Sequence, residues 1–237
     1  MEGGGHVKGF LLSKDAQNSV SNALASLITP ESIEERYGDR SLDPLLFAVG
    51  DGNHSLASAK AAYEEVKAAI GAEAAKDHPT RYALAEVVNL HDDALRFEPI
   101  YRVVFDCDPN ALLNDLNRYV NALDGNAAPQ TMLCVRVDGD VSLTVAHPEQ
   151  QLTVGTLQAF LTLYAKEHPE VTVDYIHGED SLRALAQKEN AIGFLFDGMR
   201  KDELFRTVIY DGALPRKTFS MGHARDKRYY LECRKIK

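Results

Sequence analysis

Between Gly50 and Lys60 the chain reads GDGNHSLASAK, which gathers a carboxylate (Asp51), an amide (Asn53), an imidazole (His54), a hydroxyl (Ser55) and an ammonium group (Lys60). Gly50 and Gly52 flank the carboxylate and permit the positive φ and close backbone approach that a ligand cradle needs. A helix that starts here would aim unpaired N–H groups and the positive end of its dipole at a phosphate or another anion. Asp51 beside bound phosphates could hold Mg2+ or accept a proton from a substrate hydroxyl. Asn53 and His54 could donate to phosphate oxygens, and His54 could add positive charge as a transition state forms. The same residues have plain structural uses. Asp51 and Ser55 can serve as turn or N-cap residues, the glycines in a tight turn, and Lys60 as a solvated charge.

The elements around the box must position it. Leu45 to Val49 is a short apolar run and reads as a buried strand entering the glycine turn. After it, Leu56, Ala59, Tyr63, Val66 and Ile70 fall at i, i+3, i+7, i+10 and i+14, one apolar helical stripe that Gly71 could cap. Upstream, His6 to Leu12 reads as a strand and Asp15 to Ile28 as a helix. Thr29-Pro30-Glu31 is an N-cap, N1 and first-turn sequence for a short helix through Tyr37, which Gly38 ends.

Downstream, Tyr82 to Leu90 and Pro99 to Phe105 read as strands, and Asp108-Pro109 opens a helix with Leu112, Leu113, Leu116, Val120 and Leu123 facing inward. Residues 131–137 and 141–146 alternate around Asp138-Gly139-Asp140 like a hairpin. Helices near 154–167, 179–188 and 201–209, strands at 171–176 and 191–196, and a last strand at Arg228 to Ile236 complete the pattern. Hairpin and crossover connections together predict an α/β (α+β) fold, a mixed sheet with flanking helices, with a domain break near 105–110.

Composition narrows the function. The 237 residues are 45% hydrophobic and 26% charged, as in ordinary globular proteins. The net charge of −9 and pI of about 5.4 argue against a broad DNA- or RNA-binding surface. Cys107, Cys134 and Cys233 are far apart and odd in number, which suits a reducing compartment and neither a disulfide framework nor a metal site. The histidines show no HxxxH or His/Cys spacing, so no structural zinc is expected. With no membrane-length apolar run and no signal-peptide pattern, a cytoplasmic protein is the expectation. A Walker A sequence is absent, which excludes a P-loop enzyme.

The Asp51-Gly52-Asn53-His54-Ser55 box resembles the phosphate-binding box of the ParB/sulfiredoxin fold. It is more similar still to a large, mostly uncharacterised family with this fold that includes free-serine kinases, whose members show a strand, then Asp-Gly-His/Asn-His, often an Arg, then a helix. The likeness continues in four segments. Ala85 to Asp92 resembles the family's apolar "LVN" strand and acidic turn, and Glu98 to Val104 its "P-x-H-R" strand. Asp174 to Asp180 resembles its "HGED" turn, and Leu214 to Phe219 its "P-x-K-S/T" segment.

This resemblance implies a partial ParB/sulfiredoxin-like nucleotide-binding region at 1–106 and a C-terminal α/β region at 107–237. It implies phosphoryl transfer from ATP or ADP, with Mg2+, to a small hydroxylated metabolite such as free serine. Asp51 and His54 would be catalytic, with Asp51 on the metal. Gly50, Gly52, Asn53, His54, Ser55 and Lys60 would hold the nucleotide phosphates. Glu86, Arg102, His177, Asp180, Arg216 and Lys217 are candidate substrate contacts. Each has a plain alternative: an exposed sheet face for Glu86, a helix-capping turn for His177 and Asp180, a basic loop for Arg216 and Lys217.

Two departures stand out. Ser55 replaces the kinases' Arg, removing a bidentate phosphate grip that Lys60 or Arg102 would have to supply, and Tyr101 replaces a common His. Full-length members also carry a segment before the glycine-rich opening, so the chain reads as the C-terminal portion of a longer member. A nucleotide-binding or interaction module without turnover is the alternative.

Overall fold

The computed structural model describes residues 6, 8–50 and 52–222, with backbone only at Gly52 and Asn53. Asp51 and the strand expected at Arg228–Ile236 lie outside them. The chain forms two compact units, Met1–Asn89 with Arg225–Lys237, and Leu90–Ala224.

In the first unit, local signals set the helices. Helix α1 (Lys14–Ser26) starts where the Ser13 hydroxyl accepts from the Ala16 N–H at 3.2 Å. Helix α2 (Pro30–Tyr37) starts where Thr29 accepts from the Ser32 N–H at 3.2 Å, with Pro30 in its first turn. It ends at Gly38, whose φ of 77° is the left-handed C-cap geometry that glycine adopts at least cost. A π-turn at Gly52–Leu56 runs into helix α3 (Ala57–Ile70), and Gly71 separates α3 from the short α4 (Ala72–Ala75).

The strands expected at 6–12, 45–49 and 82–90 are not formed among the described residues: 8–12, 45–49 and 82–89 lie outside any helix or strand. Apart from the half-buried Leu45 and Leu46, their described apolar side chains are exposed, with Leu11 at 100%, Val49 at 64% and Val87 at 66%. A strand is completed only by a neighbour that takes its N–H and C=O groups. No described segment lies beside these three as such a neighbour.

The second unit is built on one sheet. Its strands are β1 (Phe97–Phe105), β2 (Gln130–Val135), β3 (Val141–Val145), β4 (Thr172–His177), β5 (Ala191–Phe196) and β6 (Phe219–Met221). The order is β3-β2-β5-β1-β4, with β6 on the first residues of β1, and every pairing is antiparallel, which corrects the expected mixed sheet: the helical connections here join antiparallel strands. The β2–β3 hairpin and the helical connections α5 (Pro109–Asn121), α6 (Thr153–Glu167) and α7 (Glu179–Leu185) match the sequence pattern closely; α8 (Lys201–Asp211) follows β5.

Successive strand residues face opposite ways, and the core divides accordingly. Val104 and Phe194 pack with Leu112 and Leu116 of α5 and Leu157 and Leu161 of α6. Val103, Val135 and Leu195 pack with Leu182 of α7 and Ala186. The run AIGFLF of β5 is buried along its whole length, as a central strand covered on both faces requires. Gly193 admits α7 at close range, because a Cβ there would stand 2.7 Å from Leu182 Cδ2.

Candidate functional site

In the first unit, the box forms a five-residue π-turn, a wide backbone turn that recurs at functional sites. Leu56, at the position before α3, already has right-handed helical geometry, and no side chain caps the helix start. Ser55 lies inside the turn, one residue before the N-cap position of α3. Gly50, His54, Ser55 and Lys60 are all exposed. The stripe beneath them is half-buried at Ala59, Tyr63 and Val66, and exposed at its ends, Leu56 and Ile70. Glu86 sits in exposed coil. Among the described residues no three His, Cys, Asp or Glu side chains are grouped to hold a metal ion, and Asp51, the expected Mg2+ ligand, is not one of those residues.

In the second unit, three segments far apart in sequence come together. Antiparallel pairing of β1 with β4 sets Ile100 opposite His177 and Tyr101 opposite Ile176. A depression of about 290 Å3 opens there, lined by Glu98, Pro99, Tyr101, His177, Gly178 and Glu179. The Tyr101 ring meets Phe196 edge-on at 5.5 Å. Burial, then the charges of Glu179, Asp197 and Glu98, push its hydroxyl above the usual tyrosine range, so it remains a proton donor at neutral pH. Gly178 turns the chain at φ 91° into α7. Glu179 accepts from Arg183 Nε at 2.8 Å, and Arg183 also donates to Asp140 at 2.8 Å. Asp180 is exposed in the first turn of α7, and the N-cap position of that helix is Gly178, which has no side chain to cap with.

The third segment is tied in by Arg102. Its side chain is fully buried. Its guanidinium donates to the carbonyls of Ile100 at 2.6 Å, Lys217 at 3.0 Å and Arg216 at 3.3 Å, and to Gln158 Oε1 at 3.1 Å. It also lies 4.5 Å from the centre of the Tyr175 ring. With its donors spent on the protein, Arg102 holds the Arg216–Lys217 turn in place. Arg216 and Lys217 themselves are exposed.

The structure thus joins Arg102, His177, Arg216 and Lys217 in one region, with Asp180 one turn away, while the box residues and Glu86 belong to the other unit. Glu98 and Glu179 were not selected from the sequence. Both stand inside quoted segments, but only the β1–β4 register shows that they share a depression.

The family model described as Protein of unknown function (DUF1015) matches residues 11–234. The chain belongs to the DUF1015 family. The match takes in the box, the depression and the Arg216–Lys217 turn, so every candidate residue is part of the DUF1015 region. Neither a curated protein nor a solved structure matches the chain significantly. Among the described residues, no helix of this DUF1015 protein is long and apolar enough to cross a membrane.

Proposed function

We propose that this DUF1015 chain belongs to a nucleotide-dependent phosphotransferase of ParB/sulfiredoxin-like fold, acting in the cytoplasm on a small hydroxylated metabolite such as free serine. The observation that carries this reading is the exposed π-turn running into α3, with His54, Ser55 and Lys60 open to solvent around it. Such a turn offers backbone donors to an anion, and these side chains supply further donors and charge. Gly50 and Gly52 let the backbone approach the phosphates of ATP or ADP, and Asn53, His54 and Ser55 donate to their oxygens.

Asp51 would hold Mg2+, whose charge offsets the negative charge that builds up on the transferring group. In the reaction, the substrate hydroxyl oxygen forms a bond to the terminal phosphorus as the bond to the departing nucleotide breaks. Alternatively, the Asp51 carboxylate would accept the hydroxyl proton in place of holding the metal, and His54 would stabilise the charge that develops. Glu86, in the same unit as the box, is a substrate contact in this reading.

The test is a turnover assay with L-serine, Mg2+ and ATP or ADP, reading O-phosphoserine by phosphorus NMR. Product from the wild type and none from Asp51→Asn supports the reading. Nucleotide binding without product supports the second reading, a binding module without turnover, which the loss of an Arg at Ser55 favours. Neither binding nor product overturns both.

A further inference from the structure

We propose that the turn Leu214–Thr218 of the second unit is an anion-binding turn, which presents Arg216 and Lys217 to a phosphate or carboxylate group, and that Arg102 is its positioning residue. The inference concerns this unit alone and stands apart from the phosphotransfer reading.

Arg102 is the first observation. A guanidinium taken wholly out of water is costly, and apolar side chains of similar volume often fill such a place at no loss of stability. No carboxylate neutralises Arg102 among its described contacts; they are carbonyls, an amide oxygen and a ring face. What the planar fork adds is geometry. It ties β1 to two successive carbonyls more than a hundred residues away in sequence.

The conformation of the turn is the second. Lys217 has φ 59°, a left-handed geometry in which glycine or asparagine costs less. Strain kept at a non-glycine residue is a pointer to function when the surroundings enforce it. They do so here from both sides. The Thr218 hydroxyl, buried, donates to the Pro215 carbonyl at 2.6 Å, and Arg102 grips the carbonyl of Lys217 itself.

The third is charge. Among the described residues, Arg40, Arg118, Arg183 and Arg200 each pair with an acid, whereas no ion pair involves Arg216 or Lys217. Burial lowers Arg102 to about 10, which leaves it charged at neutral pH. In a chain of net charge −9, two adjacent exposed cations stand on a turn whose ordering is already complete, backed by a third positive charge. An incoming anion meets a favourable potential and has little left to order.

The test titrates the full chain with inorganic phosphate at fixed ionic strength, following backbone amides by NMR, with acetate as a second arm. Saturable shifts at Leu214–Thr218 are expected. Saturation by phosphate alone assigns a phosphate ligand, and saturation by acetate a carboxylate. The double variant Arg216→Gln/Lys217→Gln, altered only at exposed positions, should bind at least tenfold more weakly with an unchanged melting temperature. Folded Arg102→Lys keeps the charge and loses the fork. It should shift the turn's amides before any ligand is added and weaken phosphate at least fivefold. Shifts that follow ionic strength without saturating would overturn the proposal, as would wild-type affinity in the double variant. Unaltered affinity in folded Arg102→Lys would remove Arg102 from the role.

Discussion

In the second unit every strand has a hydrogen-bonded neighbour, and β5 is buried from end to end. In the first, Leu45–Val49 and Tyr82–Leu90 are comparably apolar, yet Val49 and Val87 are each about two-thirds exposed, and neither segment pairs as a strand with another among the described residues. The helices of the two units differ in the same sense. Helix α5 buries Leu112, Leu113, Leu116 and Val120, whereas α1 and α3 bury no residue. A helix satisfies its own backbone and can form on capping and propensity, whereas a strand depends on what lies beside it. The second unit thus forms its own core. The first carries the exposed candidate box on helices with little burial, and functional loops are commonly drawn from such weakly packed parts.

The sharpest way to break this comparison is at matched apolar positions. Phe194→Ala, in a fully buried site of β5, should cost about 3–5 kcal/mol of the second unit's stability. Val87→Ser, in the first unit, should stay within about 0.5 kcal/mol. Urea midpoints of both variants check this, and a large effect at Val87 would mean that the segment is covered.

Alkaline pH gives a smaller effect. Burial pushes the thiols of Cys134 and Cys107 up to about 12 and about 11, and the Tyr164 hydroxyl up to about 12. The unfolded chain would release these protons nearer 9 and 10. Over that window the folded state holds more protons, so this contribution to the second unit's stability is fully present below pH 9 and is lost as pH rises towards 12. Stability measured against pH should show this fall, and Cys134→Ala should flatten it.

The smallest effect should be alike in both units. Thr29→Ala removes the cap of α2, and Asp108→Ala removes a carboxylate that accepts from the N–H groups of Asn110 and Ala111. Each should cost about 1 kcal/mol, because capping is local. Circular dichroism melts would show whether one unit responds more.

What could be read from the sequence follows the same division. The boundaries of α2, the entry to α5 at Asp108-Pro109 and the extent of β5 are all written in local signals, namely a cap, a left-handed glycine and an uninterrupted apolar run. The segments 45–49 and 82–90 carried the same apolar signal, and it misled, because pairing depends on distant residues that composition cannot supply. The site shows both cases. The box was legible because its residues are contiguous, and its π-turn form was not, since that depends on backbone geometry. Arg102 was picked out within the Glu98–Val104 segment, but its grip on the carbonyls of Arg216 and Lys217 spans a contact between distant parts of the chain. Glu98 and Glu179 became partners only through the β1–β4 register.

The proposed phosphotransfer requires that the box bind nucleotide phosphates. Calorimetric titration of the chain with ATP and ADP, each with Mg2+, on the wild type, Asp51→Ala and His54→Ala measures this. Saturable binding that either substitution weakens at least tenfold, about 1.4 kcal/mol, is expected. Wild-type affinity in both variants, or no binding by the folded wild type, would contradict it.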